Sequence, residues 1–320
     1  MPLLDIENLT VSFPQHEGVV QAVRGVSLSV AAGESVGIVG ESGSGKSVTC
    51  MAVLRLLREP PARIAADKME LAGVNMLTAS RSQLSASRGR VAAMVFQDPM
   101  TAFDPVFSIG HQIVETIRAH RKVSKSEAWR EAANLLARVE IKTPEAILNS
   151  YPHQLSGGML QRAMIAMALS CRPQILFADE PTTALDVTIQ AQILQLIKDL
   201  QAEFGMGLIM VTHDLGVVAE TVDRVVVMYG GRVMETAPVQ DIFDAPAHPY
   251  TQALMASMPG RTPGKQRLVE IPGASPNPSH PPGGCPFHPR CAVAEARCAA
   301  QVPAFKAQSA ARAAACWRLP

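Results

Sequence analysis

Long apolar runs are missing from this sequence of 320 residues, and none approaches the roughly 18 residues that a membrane-spanning helix requires. The N-terminus lacks a basic stretch followed by an apolar one, so no secretory signal is expected. The formal net charge is only +1, which gives no reason to expect nucleic acid as a partner. C-x-x-C pairs are also missing, which argues against the common zinc modules. These absences predict a cytoplasmic protein without a membrane span.

A glycine-rich segment carries the strongest positive signal. Residues 40–47 match the pattern G-x-x-x-x-G-K-[ST] at every fixed position. They follow an apolar run at 36–39 and open an apolar stretch at 48–57 that is predicted to be helical. Glycines let the backbone wrap around an anion, and the helix N-terminus presents positive partial charge to it. The segment therefore predicts a phosphate-binding loop for a nucleoside triphosphate.

Two side chains of this loop have specific expected roles. Lys46 is expected to reach the β- and γ-phosphates, and the Ser47 hydroxyl is expected to ligate Mg²⁺. The residues predicted to surround the triphosphate are Gly40, Glu41, Ser42, Gly43, Ser44, Gly45, Lys46, Ser47 and Val48.

A second block ends in two carboxylates. Residues 174–180 form a short apolar run that finishes with Asp179 and Glu180, and Pro181 stops it. The length and composition indicate a buried parallel strand, and open α/β sheets place their ligands at the carboxyl ends of such strands. We therefore predict that Asp179 holds Mg²⁺ directly or through water, and that Glu180 polarises the attacking water.

A third block, Leu155-Ser156-Gly157-Gly158-Met159, precedes a long helical pattern. Ser156 is predicted to be the N-cap, and Gly157 and Gly158 leave the first amides of the helix accessible to an anion. Alone this signal is weak.

Three further short motifs complete a recognisable order. They are Gln97 within residues 96–99, Asp186 within 184–186 and His213 within 211–214. Together with the three blocks above, they make the chain resemble the ATP-binding cassette (ABC) ATPases over about residues 3–255. The implied fold is α/β, a P-loop NTPase cassette with a mixed sheet core, an antiparallel β subdomain and a helical subdomain at about 100–172.

The resemblance also implies roles for single residues. Phe13 is the aromatic expected to stack on adenine, and Gln97 is expected to sense Mg²⁺ and the attacking water. His213 would contact the γ-phosphate, and Asp186 would lie at a dimer seam. Met159 stands where the family usually has glutamine, so the contribution of that side chain is not expected here.

By the same resemblance the chain works as a head-to-tail dimer with a second homologous ATPase subunit. Ser156, Gly157 and Gly158 would then serve the ATP of the partner. A single phosphate loop and the absence of internal repeats exclude two cassettes in this one sequence.

Periodicity gives a coarse map that agrees with this fold. Residues 3–30 alternate apolar and polar, which indicates antiparallel strands. Strands are further predicted at 90–96, 175–178, 208–212 and 224–228, with helices at 188–204 and 217–222 and a hairpin turn at 229–232. Residues 100–172 are predicted to be mostly helical, with a break at 142–144.

The class of ABC protein follows from the insert and the tail. Between Lys46 and Ser156 there is no room for the coiled coil or extra domains of DNA-acting relatives, and a translation factor is disfavoured on the same grounds. Residues 98–105, 151–154, 247–254 and 284–291 resemble the oligopeptide and dipeptide importers. A nickel or glutathione importer is the alternative within the class, and a non-hydrolysing, nucleotide-regulated binding module is the alternative outside it.

Four of the six cysteines, Cys285, Cys291, Cys298 and Cys316, lie in a predicted C-terminal extension at 256–320. Residues 259–289 are rich in Pro, Gly and Ser, so regular structure is not expected there. In a reducing compartment, clustered thiols argue for a bound metal, and zinc, a [4Fe–4S] cluster and unligated thiols remain open on the residues alone. Related peptide-importer ATPases carry an iron–sulfur cluster on such a tail, which favours the cluster.

The sequence thus predicts an ATPase subunit of an importer, at the cytoplasmic face of the inner membrane. The resemblance implies two transmembrane permease subunits as partners and, indirectly, a solute-binding protein. The ATP-binding core is expected to close before residue 255, with the cysteines away from the ATP motifs.

Overall fold

We analysed a computed structural model, which describes residues 2–16, 18–183, 185–258, 270–309 and 311–319. The strands are β1 (Leu4–Gln15), β2 (Gly18–Val30), β3 (Ser35–Val39), β4 (Arg63–Ala65), β5 (Lys68–Leu71), β6 (Val74–Asn75), β7 (Ala92–Val95), β8 (Ile175–Asp179), β9 (Gly207–Thr212), β10 (Arg224–Tyr229), β11 (Arg232–Pro238), β12 (Lys306–Ser309) and β13 (Arg312–Ala314). The helices are α1 (Lys46–Val53), α2 (Arg81–Ser87), α3 (Pro99–Ala102), α4 (Ile109–His120), α5 (Lys125–Arg138), α6 (Pro144–Asn149), α7 (Gly157–Leu169), α8 (Val187–Phe204), α9 (Leu215–Thr221), α10 (Val239–Asp244), α11 (Pro249–Ala256) and α12 (Ala296–Ala300).

The chain divides into two compact units. The first contains Met1–Val30, Ser35–Thr78 and Met210–Pro320, and the second contains Ala31–Glu34 and Ala79–Ile209. The division falls within β9.

An antiparallel sheet occupies the N-terminal part of the first unit. Its strands pair in the order β2-β1-β5-β6, and β4 also pairs with β1. Apolar residues of β1 that point to one face are fully buried, among them Leu4, Ile6 and Leu9. The expected alternation of an antiparallel sheet with one solvated face is therefore confirmed.

A second set of strands in the same unit pairs in the order β12-β13-β11-β10-β3. β3 and β10 are parallel, whereas β10, β11 and β13 pair antiparallel, so the set is mixed. All five residues of β3 are buried, as expected for a strand covered on both faces. The phosphate loop begins directly after β3 and continues into α1.

The second unit contains the parallel pair β7 and β8 and most of the helices. Several of its helices begin at side-chain caps: Ser108 accepts from the His111 amide at the start of α4, and Ser124 accepts from the Glu127 amide at the start of α5. The buried residues of α4 recur at helical spacing, for example Ile109, Ile113 and Ile117, because this face packs into the core. Helix α8 ends at Gly205 in the left-handed region, with φ 60°.

Most predicted elements are confirmed, with boundaries that differ by a few residues. The predicted helix at 48–57 is an exception, because α1 starts earlier, at Lys46, and ends at Val53 with Arg55 at φ 52°. The hairpin at 229–232 is confirmed, with Gly230 and Gly231 both at positive φ.

The tail is more ordered than expected. Residues 270–287 contain no helix or strand, as predicted, while 259–269 of the same prediction lie outside the described residues. Beyond them, α12, β12 and β13 are regular, and β13 pairs with β11. The extension is therefore not simply an irregular appendix, since its last strands join the sheet of the first unit. In the part of the chain that the structure describes, no helix is both long and apolar enough to cross a membrane.

Candidate ATP-binding site

The phosphate loop encloses its own lysine. Lys46 is only 6% exposed, and its ammonium donates to the carbonyl oxygens of Gly40 at 2.8 Å and Glu41 at 3.0 Å. A buried ammonium requires acceptors around it, and the loop supplies them from its own backbone. The cation is thereby held in the loop at the first residue of α1.

Glycine is required at two loop positions for lack of space. A Cβ on Gly40 would lie 2.1 Å from the Met228 carbonyl oxygen, and one on Gly45 would lie 2.4 Å from that of Ala22. Both residues also have positive φ, 151° and 99°. Neighbouring backbone therefore fixes the loop in this shape, which substitution by any other residue would disturb.

Two features of the loop favour a bound triphosphate. The Ser44 hydroxyl is buried and has no hydrogen-bond partner among the described residues, so a donor is available inside the loop. Helix α1 starts after Gly45 with no side-chain cap hydrogen bond in the described structure. Buried hydroxyls and uncapped helix N-termini are both satisfied by an anion. Both features support the predicted phosphate loop, which stays a prediction for the residues that touch the triphosphate.

The predicted base lies in an unusual backbone conformation. Glu180 follows the last residue of β8 and has φ 44°, a left-handed value that is uncommon for a residue with a side chain. Its Oε2 accepts two hydrogen bonds of 2.9 Å, from the Gln97 amide and from the Thr183 hydroxyl. Backbone conformations of this kind cost about 1–3 kcal/mol and persist where function fixes a side chain.

Within the second unit the structure thus brings together Gln97 and Glu180, two residues to which the sequence analysis assigned separate roles. Asp179 is the last residue of β8 and is 7% exposed, so its carboxylate stands at the carboxyl end of a fully buried strand. Thr183 was not anticipated, although a hydroxyl three residues after an acid at a strand end is a short-range signal that could have indicated it.

The second predicted anion-binding loop is built differently. Ser156 caps α7, its hydroxyl accepting from the Met159 amide at 3.4 Å, and both Ser156 and Gly157 are exposed. Deeper in the same unit, the buried Gln161 of α7 donates to the Pro181 carbonyl oxygen at 2.6 Å. Helix α7 is therefore anchored next to the segment that follows β8, while its N-terminus faces outward.

The remaining predicted residues are placed as follows. His213 immediately follows β9 and is exposed, and Asp186 caps α8 by accepting from the Ile189 amide at 3.0 Å. Phe13 lies half-buried on β1 opposite Val20. Ala184, part of the motif that contains Asp186, lies outside the described residues.

The tail contacts the phosphate loop, which the sequence did not indicate. The Glu41 carboxylate accepts hydrogen bonds from Arg290, at 2.7 Å, and from the Ser275 hydroxyl. The Glu41 amide donates to the Tyr250 hydroxyl at 3.0 Å. The expectation that the cysteine segment lies away from the ATP motifs is therefore wrong, because Arg290 directly precedes Cys291. No local pattern relates residues so far apart in the chain.

The four tail cysteines line one cavity, together with the apolar residues Phe287 and Trp317. All four are free thiols, and burial, together with the neighbouring thiols, raises the pKa of Cys285 to about 11. Among the described residues, no group of three or more His, Cys, Asp or Glu side chains is arranged to hold a metal ion. A single zinc ion needs four ligands within about 2.3 Å, so this arrangement does not match a closed zinc site.

Comparison with known proteins identifies the family. The family described as "ABC transporter" matches residues 23–183, and the one described as "Oligopeptide/dipeptide transporter, C-terminal region" matches residues 234–298. The chain belongs to the ABC transporter ATP-binding family. ABC relatives in solved structures have the same cassette: a dimeric bacterial cassette, MJ0796, superposes with a TM-score of 0.66 and 28% identity, over 74% of this chain and 98% of that chain.

Curated ABC relatives cover almost the whole sequence. A probable peptide ABC transporter ATP-binding protein of Sinorhizobium fredii, y4tR, is 51% identical over 99% of this chain and 95% of its own length. The dipeptide transport protein DppD of Escherichia coli is 48% identical over 95% of this chain and 93% of its own length. The glutathione import protein GsiA of E. coli is 55% identical over 80% of this chain, but this match spans only 42% of GsiA.

Proposed function

We propose that this chain hydrolyses ATP to power the import of dipeptides or oligopeptides through a membrane permease. The observation that carries the proposal is the hydrogen bond between Gln97 and Glu180 at the end of β8. It places a carboxylate acceptor and an amide side by side, as is needed to orient a water molecule for attack on a phosphorus atom.

The residues have distinct roles in this mechanism. Glu180 accepts a proton from the attacking water, and Gln97 holds both Glu180 and the water in position. Lys46 and the loop amides bind the β- and γ-phosphates, and His213 contacts the γ-phosphate. Because phosphoryl transfer involves little covalent chemistry by the protein, these groups act by placement and electrostatics.

Phe13 is proposed to stack on the adenine. Ser47, Gln97 and Asp179 are the proposed Mg²⁺ ligands, and the bound ion supplies positive charge that offsets the charge developing on the phosphoryl oxygens. The donor set is suitable, since hydroxyl, amide and carboxylate oxygens are the ligands that Mg²⁺ prefers.

The proposed assembly is a head-to-tail dimer with a second ATPase subunit. The exposed loop of Ser156, Gly157 and Gly158 supports this, because it presents helix amides outward and can bind the ATP of a partner. Asp186, exposed at the start of α8, is proposed to lie at the seam. The dimeric structure of the relative MJ0796 is consistent with this arrangement.

We further propose two permease subunits as membrane partners, with a solute-binding protein acting through them and no role for nucleic acid. The chain would then sit peripherally at the cytoplasmic face of the inner membrane. Peptide cargo is favoured because y4tR and DppD, which match nearly the whole chain, are named for peptide and dipeptide transport. Glutathione is the alternative supported by the resemblance to GsiA, and nickel is the other alternative.

The tail is proposed to hold a [4Fe–4S] cluster through Cys285, Cys291, Cys298 and Cys316, with zinc as the alternative. The shared cavity supports a common ligand. The cluster is favoured because each of its irons takes a separate thiolate, which does not require four sulfurs to converge on one ion. The pKa of Cys285, raised by burial, means that a bound cation is needed to keep this ligand as thiolate.

The function is tested by comparing ATP turnover of the wild-type chain, assembled with its permease, with that of Glu180→Gln. We expect turnover to fall by about 10² to 10⁴, since a general base is removed, while ATP binding persists and the closed dimer accumulates on size-exclusion chromatography.

A Glu180→Gln protein that hydrolyses ATP at the wild-type rate would show that another residue is the base. A wild-type assembly that binds ATP without turnover would instead support the non-hydrolysing binding module. Uptake of labelled dipeptide, glutathione and nickel by the same assembly would decide the cargo.

A further inference from the structure

The tail reaches the phosphate loop at Glu41, the second residue of the loop. This carboxylate belongs to a segment that must bind a strongly anionic triphosphate, so its negative charge opposes the ligand. Like charges at short range repel more strongly in a partly buried site than in bulk water, because the effective dielectric constant is lower there. An acid at this position is therefore unfavourable for ATP binding unless a cation compensates it.

Arg290 is the compensating cation. Its Nη1 lies 2.7 Å from Glu41 Oε2, and its side chain is 7% exposed, against 22% for Glu41. Burial at this level removes most of the solvent screening that weakens surface ion pairs. Burial lowers the pKa of Arg290, but its hydrogen bonds to Glu41 and Tyr229 more than offset this, so the guanidinium stays charged.

The tail also fixes the orientation of this guanidinium. Arg290 Nε donates to the Pro272 carbonyl oxygen at 2.8 Å, and Nη2 donates to that of Ile271 at 3.0 Å. Nη1 additionally donates to the Tyr229 hydroxyl at 3.0 Å. With so many donors engaged, the arginine is pre-organised for Glu41 and gives up little entropy in binding it.

A second contact holds the backbone of the same loop residue. Tyr250, which is fully buried, accepts from the Glu41 amide, and its ring packs 4.5 Å from that of Tyr229 and 5.2 Å from that of Phe287. Phe287 also lines the cavity of the four cysteines. The loop, the aromatic cluster and the cysteine segment therefore form one continuous set of contacts within the first unit.

We propose that Arg290 is a positioning residue for ATP binding. Its guanidinium neutralises the Glu41 carboxylate, so a residue of the tail sets the charge of the phosphate loop. The guanidinium acts through Glu41 and needs no contact with the nucleotide. Since this role concerns ATP affinity, it rests on the proposed ATP site but not on the identity of the cargo or of any tail metal.

The experiment compares four full-length proteins: wild type, Arg290→Ala, Glu41→Gln and the double variant. We expect Arg290→Ala to weaken ATP binding about tenfold, because the Glu41 charge is left uncompensated beside the phosphates. The KM for ATP should rise by a similar factor, and kcat at saturating ATP should stay within about twofold. Calorimetry with a non-hydrolysable ATP analogue and steady-state turnover give the two readouts.

The double variant distinguishes charge compensation from a loss of structure. If Arg290 acts by neutralising Glu41, adding Glu41→Gln to Arg290→Ala should restore ATP affinity to within about threefold of wild type, because the repulsive charge is gone. In the Glu41→Gln background, Arg290→Ala should change ATP affinity by no more than about threefold, because no carboxylate charge is left to compensate. A double variant that binds ATP as weakly as Arg290→Ala would overturn the proposal.

Arg297→Ala is the matched control, since it removes a half-exposed tail arginine that pairs with Glu295 and contacts Trp317 rather than the loop. Its ATP affinity should equal that of wild type, and an equal loss in both arginine variants would contradict a specific role for Arg290. Should Arg290→Ala prove unfolded, Arg290→Lys keeps the charge and is expected to bind ATP more tightly than Arg290→Gln. Equal affinities for those two variants would also contradict the proposal. Lack of nucleotide binding by the wild type would count against the ATP site itself.

Discussion

The two anion-binding loops of this chain are built in opposite ways. The phosphate loop is enclosed, with Lys46 and Ser44 buried and with Gly40 and Gly45 packed against neighbouring backbone. The loop at Ser156 is exposed and contains no cation, and its one described cap is the 3.4 Å hydrogen bond to Met159. The first loop has a buried cation and a buried hydroxyl for the proposed triphosphate, whereas the second offers only backbone donors.

The difference between the phosphate loop and the Ser156 loop corresponds to the different roles proposed for them. An enclosed loop with a buried lysine binds a triphosphate strongly by itself, since charge-assisted hydrogen bonds are about twice as strong as neutral ones. An open helix N-terminus attracts an anion by only about 0.3–1 kcal/mol. This agrees with the proposal that the Ser156 loop contributes only when a partner brings ATP to it, and turnover, but not binding, would then depend on assembly.

The largest effect is expected from removing the cation of the enclosed loop. Lys46→Ala should weaken ATP binding by about 100-fold. The ammonium is expected to make one charge-assisted contact with the β-phosphate and one with the γ-phosphate, and the loss of each costs about 1.5 kcal/mol or more. Fluorescent-nucleotide titration of the isolated chain measures this. An unchanged affinity would mean that the loop is not the triphosphate site, and the comparison between the two loops would fail.

A smaller effect, confined to turnover, is expected at the open loop. Ser156→Arg should block the exposed helix N-terminus and reduce turnover in the assembled transporter by about 10- to 100-fold, which corresponds to about 1.4–2.7 kcal/mol of lost transition-state stabilisation. ATP affinity of the isolated chain should stay within twofold of wild type. A parallel loss of ATP affinity in the isolated chain would show that the Ser156 loop serves its own ATP.

The smallest effect on ATP chemistry is expected from the cysteine cavity. Cys285→Ser should remove iron from anaerobically purified protein, where we expect about four irons per chain, and should increase proteolysis of the tail. Because Lys46 and Glu180 are untouched, turnover at saturating ATP should stay within about threefold of wild type. Cys50→Ser, which alters a buried cysteine far from the tail in sequence, is the control for iron content.

If metal analysis finds zinc instead of iron, the tail holds a structural zinc ion and not a cluster. Neither metal in anaerobic protein would leave four unligated thiols and would contradict a metal-binding tail.

Local patterns in the sequence were sufficient for several features. The spacing of Gly40, Gly45 and Lys46 predicted the loop, and the position of Glu180 after an apolar run placed it at a strand end. Ser156 was predicted as a cap from its position before a helical pattern. Each of these features depends on interactions between residues close together in the chain, which is why propensity and pattern identify them.

Other features of the site depended on distant residues. The hydrogen bond between Glu180 and Gln97 forms because β7 and β8 are parallel neighbours and both residues follow the ends of these strands. Neither this contact nor the left-handed backbone of Glu180 could be predicted from the residues next to it in the sequence. The early end of α1 was also missed, because apolar residues continue past Val53 although the helix does not.

The sequence by itself determined that this chain is an ABC ATPase. The phosphate loop, the acids after β8 and the Ser156 helix cap each depend on a few neighbouring residues. Only the tertiary structure decided that the tail contacts the phosphate loop. Glu41 and Arg290 meet because β13 pairs with β11 and because Tyr229, Tyr250 and Phe287 pack together. Such a contact depends on the free energy of packing the whole first unit, and that is not encoded at either residue alone.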